Sequence, residues 1–432
     1  MTRLLFGLLI IGSFFVAVQT SPVSAQPTNN VLRFRGTDGS GSSTNVDIPT
    51  KWSAQSNLKW KAEMPGAGSS TPIVVGDRVY VTCYSGYGTD LNSTGTQKSL
   101  ARHLIALDLN TGKEIWTASV ANTSTEDQFQ GFLTEHGYAT STPTSDGENI
   151  YAFFGKSGVF AFDKQGKQLW KTSVGTESGS RHWGSSASLI RYKNLIIVNA
   201  ADESQTIYGL NRQTGAVVWK AEAAGLENTF CTPLLIPIGD RTELVIAVPW
   251  EIWGLDPETG KLLWYVETDL DSNVCPSVVA KDGIVYAMGG RQGGSIAVRA
   301  GGKGDVAKSH VLWKGTATSY VPSPVIHKDR LYWVNDRGIA LCVNAKTGDL
   351  VYQERVGASG TGRLFYASVS LINEKLYAVS RHGGTVIYET GDKFTQTTIN
   401  KHLDDTAFNA SPVITGNHLL LRSNSHIYCI SQ

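Results

Sequence analysis

The side chains able to do chemistry fall in short stretches between apolar runs: Glu135-His136-Gly137-Tyr138, Arg181-His182-Trp183, Glu227-Asn228 near Phe230, Trp250-Glu251, Asp271 and Asn273, Arg291-Gln292, Tyr320, Asp336-Arg337, Arg363 near Phe365-Tyr366, and Arg381-His382. Glu135 beside His136 offers an acid and a base in one place. Neighbours on an extended chain point to opposite sides, so a solvated loop is the simpler reading of that pair. Glu227, Asn228 and Asp271, with Asn273, carry the oxygen atoms that a calcium ion takes as ligands. They stand on separate segments, and carboxylates scattered over many loops give such a set by chance, so no metal site is expected. His136, His182 and His382 share the difficulty, because a metal needs convergence that their spacing does not establish. What the stretches have in common is rings beside Arg, Glu and Asn. That is the make-up of a ligand funnel, in which rings supply area and polar groups supply orientation.

Such stretches need a scaffold that brings them to one face, and an internal repeat provides it. One phrase recurs: a small apolar strand, Asp or Asn, two polar residues, Thr-Gly, then Trp. It runs from Ala106-Leu107-Asp108 through Thr111-Gly112 to Trp116, and from Gly254-Leu255-Asp256 through Thr259-Gly260 to Trp264. Looser copies end at Trp170, Trp219 and Tyr352, and a worn one at Trp313. A second phrase, a small residue with Pro or Ser opening an apolar strand, precedes each: Ser70-Thr71-Pro72, Ser141-Thr142-Pro143, Ser186-Ala187-Ser188, Cys231-Thr232-Pro233, Cys275-Pro276, Ser323-Pro324, Ala367-Ser368 and Ser411-Pro412. With the strands and tight turns between, each unit reads as a four-stranded propeller blade, and eight starts make eight blades. The expected fold is therefore all-β, an eight-bladed β-propeller.

The last unit, Ser411 to Ile430, ends without a Trp strand, while Leu58-Lys59-Trp60-Lys61 is a Trp strand with no unit before it. Pairing the two closes the ring and removes the exposed edges of an open array. Residues 57–432 thus form the propeller, with strand 58–62 completing its eighth blade and residues 26–56 as an N-terminal extension. Trp60, Trp116, Trp170, Trp219, Trp264 and Trp313 read as blade-docking rings that fill the wedge opening with radius. The Asp of each Leu-Asp pair reads as a turn residue bonding backbone N–H groups. None of these belongs in a catalytic set.

The first residues set the compartment. Arg3, the apolar stretch Leu4 to Val18 and the small-x-small site Val23-Ser24-Ala25 make residues 1–25 a signal peptide, so export to the periplasm or beyond is expected. The apolar run is short and turns polar at Gln19, so no transmembrane segment is expected after cleavage, and no cysteine stands at that site to carry a lipid. A net charge of +1 with 17% charged residues leaves no footprint for nucleic acid. Cys83, Cys231, Cys275, Cys342 and Cys429 lie mostly in apolar strands and read as buried small hydrophobes.

The Ala-Leu-Asp-x-x-Thr-Gly-Lys-x-x-Trp phrase resembles the Trp-docking repeat of the pyrroloquinoline quinone (PQQ) propeller superfamily, from about Asn57 to the C-terminus. That superfamily includes quinoprotein dehydrogenases and BamB, the propeller lipoprotein of outer-membrane assembly. Phe34-Arg35-Gly36, Pro49-Thr50-Lys51-Trp52 and Asn57-Leu58-Lys59-Trp60-Lys61 look like the opening of exported bacterial PQQ-like repeat proteins. The chain departs from alcohol-oxidising quinoproteins in having no two adjacent cysteines and no Cys-x-x-Cys-His haem site, and from the assembly lipoprotein in lacking its lipid cysteine. Propeller geometry puts the chemistry-bearing stretches on the face made by blade-to-blade connections and by the loops joining second to third strands. The insertion Tyr84 to Arg102 is placed to cover part of it. Two functions follow as expectations. One is a binding or scaffold protein that holds an envelope protein, peptide or glycan on that face and needs no cofactor. The other is an oxidoreductase with PQQ and calcium in the funnel, the quinone stacked on Trp183 or Trp250, acting on an alcohol or sugar.

Overall fold

The computed structural model describes residues 30–44, 46–360 and 362–432, so residues 1–25, expected to be a signal peptide, lie outside the described residues. The strands form eight sheets among these residues, arranged as the blades of a propeller. Blade 1 runs from its inner strand Ile73–Val75 through Arg78–Ser85 and Ala101–Asp108 to the outer strand Glu114–Ala121. Blades 2 to 7 begin with inner strands Thr144–Ser145, Ile190–Tyr192, Leu234–Ile238, Val279–Lys281, Val325–His327 and Ser370–Ile372. Blade 8 comprises Val413–Thr415, His418–Arg422 and His426–Ile430, and its outer strand is Leu58–Glu63, paired antiparallel with Trp60 opposite Cys429. The two ends of the propeller chain therefore close the ring. Among the described residues no helix is long and apolar enough to cross a membrane.

Each outer strand carries a register shift against its neighbour one residue before the docking position, as between Leu107↔Glu114 and Ala106↔Trp116. The same shift occurs in all eight blades. Such a bulge re-aims the following side chain, here turning the Trp ring into the gap between blades. The indole N–H then donates to a carbonyl in the next blade's turn: Trp60 to Leu109 (2.8 Å), Trp116 to Lys164 (2.8 Å), Trp170 to Arg212 (3.0 Å), Trp219 to Pro257 (3.2 Å) and Trp313 to Ala345 (2.8 Å). The Thr-Gly of the receiving turn is explained by the same contact. Gly112 has φ +71°, and a Cβ there would lie 2.5 Å from the Trp60 ring. Asp108 holds the turn by accepting the N–H groups of Asn110 and Thr111.

Trp264 departs from this rule. Blade 5 has no Thr-Gly turn, and its third and fourth strands are joined by a longer segment. In that segment Gly304–Asp305 pairs in parallel with the outer strand of blade 4. The Trp264 N–H donates instead to Glu243 Oε2 at 2.8 Å, and both groups are fully buried. Glu243 also accepts from Arg241 (2.6 Å) and from the Gly301 N–H (3.1 Å).

Residues 30–56 run as a strap across the face opposite the chemistry-bearing loops. Val31 bridges Val74 in blade 1, Leu32 accepts from the Ser145 N–H in blade 2, and Arg35 donates to the carbonyls of Ser323 and Pro324 in blade 6. Ser42–Ser43 adds a parallel strand to the inner edge of blade 7, and Trp52 stacks on Tyr377 with centroids 6.5 Å apart. Burial lowers the guanidinium pKa of Arg33 and Arg35 to about 10.

The closing strand has a testable consequence. A chain beginning at Pro65 lacks Leu58–Glu63 and leaves the edge of His426–Ile430 unpaired. It is expected to elute as aggregate in size exclusion with light scattering. A monodisperse monomer with unchanged far-ultraviolet circular dichroism would argue that closure is dispensable.

Candidate functional site

The channel wall is built from the opening phrase of each blade. Thr71, Thr142, Ser188, Thr232, Ser277, Ser323, Ser368 and Ser411 each stand just before an inner strand, one per blade. The N–H of each donates to the hydroxyl of the next from Thr71 through Ser368, at 2.9–3.1 Å. These N–H groups lie inside the innermost strands, where no ladder partner reaches them, and the hydroxyl belt satisfies them.

Phe34 of the strap floors this channel, and Phe132, Trp183, Phe230 and Tyr366 roof it, with His136, Cys275 and Asn409 on the walls. The cavity there is about 120 Å³, space for roughly four waters. The roof is a continuous aromatic cluster. Phe132 packs on Trp183 (4.7 Å), Tyr366 (5.5 Å) and Tyr320 (6.1 Å), and Trp183 on Phe230 (5.2 Å). Guanidinium groups crown it: Arg291 lies 4.3 Å over Tyr320, Arg363 5.1 Å over Tyr320 and 5.3 Å over Phe132, Arg381 4.5 Å over Tyr366, and Arg181 5.9 Å over Trp183. Outside the roof an open groove of about 460 Å³ is lined by Phe132, Trp183 and Tyr320 together with Arg181, Arg291, Arg363, Asp271, Asn273 and Gln292.

Phe132 stands on the long connection from blade 1 to blade 2, which is anchored by buried charge. Glu126 pairs with Arg102 at 2.9 Å, and Asp127 with Lys156 at 3.2 Å and His182 at 2.8 Å. Tyr138, whose hydroxyl donates to the Asp127 carbonyl at 2.7 Å, packs beneath among Tyr84, Tyr87 and Phe129. Tyr84 and Tyr87 belong to the insertion Tyr84 to Arg102, so that segment buttresses the roof. Beside the ion pairs lie Asp202 and Glu203. Burial, then repulsion by Asp127, raises the Asp202 pKa to about 6, and burial with Asp202 alongside raises that of Glu203 well above the usual range.

The sequence candidates separate in space. Arg181, Trp183, Arg291, Arg363, Asp271 and Asn273 meet at the groove. Glu135 is ion-paired with Arg381, whereas His136 turns to the Thr140 hydroxyl at 2.7 Å and is pushed down to about 4 by burial, so the two form no acid-base pair. Tyr138 is core. Glu227 accepts the Ser180 N–H at 3.2 Å, and Asn228 sits beside it at φ 62°. Trp250, 54% exposed at φ 67°, and Arg337, also exposed, lie outside the groove, as does exposed His382. His136, His182 and His382 do not converge, and among the described residues no three His, Cys, Asp or Glu side chains are grouped to hold a metal ion. The residues not anticipated are Phe34 and Phe132, which close the cavity at its two ends, and the buried charges that hold the roof.

Eight blades, six of them docked by Trp, around a hydroxyl-lined channel define a propeller of the PQQ-repeat class. The family described as outer membrane protein assembly factor BamB matches residues 101–354 and 203–432, and the chain belongs to it. Among solved structures, BamB from Moraxella catarrhalis superposes with a TM-score of 0.60 at 14% identity, covering 87% of this chain and 97% of that one, a likeness of fold. A tetrathionate hydrolase of Acidithiobacillus ferrooxidans is 26% identical over 184 residues, 40% of this chain and 32% of that protein. A polyvinylalcohol dehydrogenase of Sphingopyxis is 24% identical over 247 residues, 42% of this chain and 37% of that protein. The matches thus span about a third of the length of these two relatives.

Proposed function

We propose that this chain is an exported, non-catalytic propeller that holds an envelope protein, peptide or glycan against its loop-rich face. The observation that carries the reading is the division between a small channel roofed by packed rings and a larger, more open mouth. The two rings a flat cofactor would have to part, Phe132 and Trp183, already pack on each other at 4.7 Å. The cavity beneath, about 120 Å³, is smaller than the roughly 300 Å³ at which small-molecule sites begin. The groove outside offers exposed Arg and aromatic surface, the residue types that dominate interface energies. Export rests on Arg3, the apolar run to Val18 and the site at Val23-Ser24-Ala25.

A calcium-bound quinone, the alternative, does not fit the residues as placed. Glu227 lines neither the channel nor the groove, and both oxygens of Asp271 accept N–H groups, from Ser272 and Arg291. Trp250 is outside the groove, so Trp183 is the one proposed stacking ring that faces it.

A photo-crosslinking residue substituted for Trp250 or Gln292 is expected to give adducts of discrete mass in the native host, and one substituted for Asn110 on the opposite face to give none. Equal labelling from both faces, or none from either, would sink the reading.

A further inference from the structure

The mouth groove carries information about the charge of its occupant. Arg181, Trp183, Phe132, Arg363, Tyr320 and Arg291 form one continuous stripe in which each member touches the next, ring on ring or cation on ring. Arg381, beside the stripe, is neutralised by Glu135. Arg181, Arg291 and Arg363 are not: among the described residues no ion pair engages any of the three. Asp271 is the one acid that lines the groove, so three guanidinium groups face a single carboxylate there. Asp271 accepts the N–H groups of Ser272 at 2.6 Å and of Arg291 at 3.1 Å, and Asp336 is 7% exposed, below the surface of the mouth.

A second observation points the same way. Asn273 lines the groove at 7% exposure, and its Oδ1 has no hydrogen-bond partner among the described residues. A buried acceptor left open is unfavourable until a donor arrives, and a peptide N–H is such a donor. The three guanidinium groups come from separate places around the mouth: Arg181 before blade 3, Arg291 within blade 5 and Arg363 before blade 7. Arg291 and Arg363 share the Tyr320 ring while Arg181 stands at the other end of the stripe, so an occupant that meets all three is an extended chain bearing several carboxylates.

Resting on the binding reading above, we infer that the groove takes an acidic, extended peptide segment. Its carboxylates pair with Arg181, Arg291 and Arg363, its aromatic or apolar side chains lie on Trp183, and a backbone N–H reaches Asn273. A neutral glycan supplies the donor but not the charge.

The probe is the random copolymer poly(Glu,Tyr), titrated against the chain from Gln26 onward by fluorescence anisotropy of a labelled copolymer, with poly(Lys,Tyr) as the comparison. Saturable binding of the acidic copolymer is expected, weakening as salt rises. The double variant Arg291→Gln with Arg363→Gln is expected to bind it about tenfold or more weakly, a loss of at least ~1.4 kcal/mol. Arg291 and Arg181 are exposed, so the single variants Arg291→Gln and Arg181→Gln keep the test open if the double variant proves unstable. Equal affinity for poly(Lys,Tyr), an unweakened double variant, or no binding by the native chain would overturn the inference. Crosslinks from the loop-rich face without affinity for the acidic copolymer would overturn it alone and leave the binding reading standing.

Discussion

Replacing Trp264 by alanine is expected to destabilise the propeller by about 4 kcal/mol or more, the largest effect of any docking tryptophan. The ring is 0% exposed, the most buried of the docking tryptophans, so its removal leaves a cavity between blades 4 and 5. It also strips a donor from Glu243, a carboxylate with no exposure that would keep only Arg241 and the Gly301 N–H. The lost bond to a buried carboxylate adds about 1.5–3 kcal/mol, although Oε2 still accepts from the Gly301 N–H. Trp116 is the comparison. It is half-buried, and its N–H bonds a backbone carbonyl that water can reach once the ring is gone. Guanidinium denaturation of Trp264→Ala and Trp116→Ala should therefore give clearly separated midpoints, with Trp264→Ala the lower. Equal losses would mean that the Glu243 arrangement carries no more weight than the ordinary dock.

Replacing Asp202 by asparagine is expected to stabilise the protein near pH 8, against the usual outcome of a substitution in a buried polar cluster. Burial, with Asp127 nearby, raises the Asp202 pKa from 3.8 to about 6 in the folded chain. The folded state therefore holds this proton more tightly than the unfolded state does. The stability this provides is fully present below pH 3.8 and is lost as pH rises through about 6. At pH 8 the ionised group is a net burden of about 1–3 kcal/mol. Asparagine removes the charge and keeps Oδ1 to accept the Gly179 N–H, a bond of 3.1 Å in the native chain. The gain should appear in the denaturation midpoint at pH 8 and vanish at pH 4. A variant less stable than the native chain at pH 8 would mean that attraction to Lys156 and His182 outweighs burial.

The blades were legible in the sequence because their signals are local. Asp, Thr-Gly and Trp recur within one turn and one strand, and each has a contact that demands it, as Gly112 under the Trp60 ring illustrates. Closure was legible because a Trp strand without a unit and a unit without a Trp strand leave one solution. The opening phrase was visible too, yet its hydroxyls acquire a role only when the blades meet in a ring, since each accepts an N–H 43 to 71 positions away, as the Ser323 hydroxyl does from Ser277.

Other features could not be read in that way. The strap has no repeat, and its partners lie far along the chain, such as Arg35 on the carbonyls of Ser323 and Pro324. Phe132 drew no notice although its neighbours Glu135, His136 and Tyr138 did, because one phenylalanine in a polar connection carries no pattern. The worn copy at Trp313 was a usable signal. A blade without a Thr-Gly turn leaves the preceding Trp264 without its usual acceptor, and Glu243 in an apolar strand is the substitute. Trp250 and Arg337 have the residue types of a funnel, but only the fold decides which loops tilt toward the axis.

The most direct test of the binding reading is isothermal titration of the chain from Gln26 onward with PQQ, in the presence and absence of Ca²⁺. With Phe132 packed on Trp183 and Phe34 beneath, no saturable binding is predicted in either condition. Saturable, Ca²⁺-dependent binding at about micromolar affinity or tighter would contradict the account and make the channel a cofactor site.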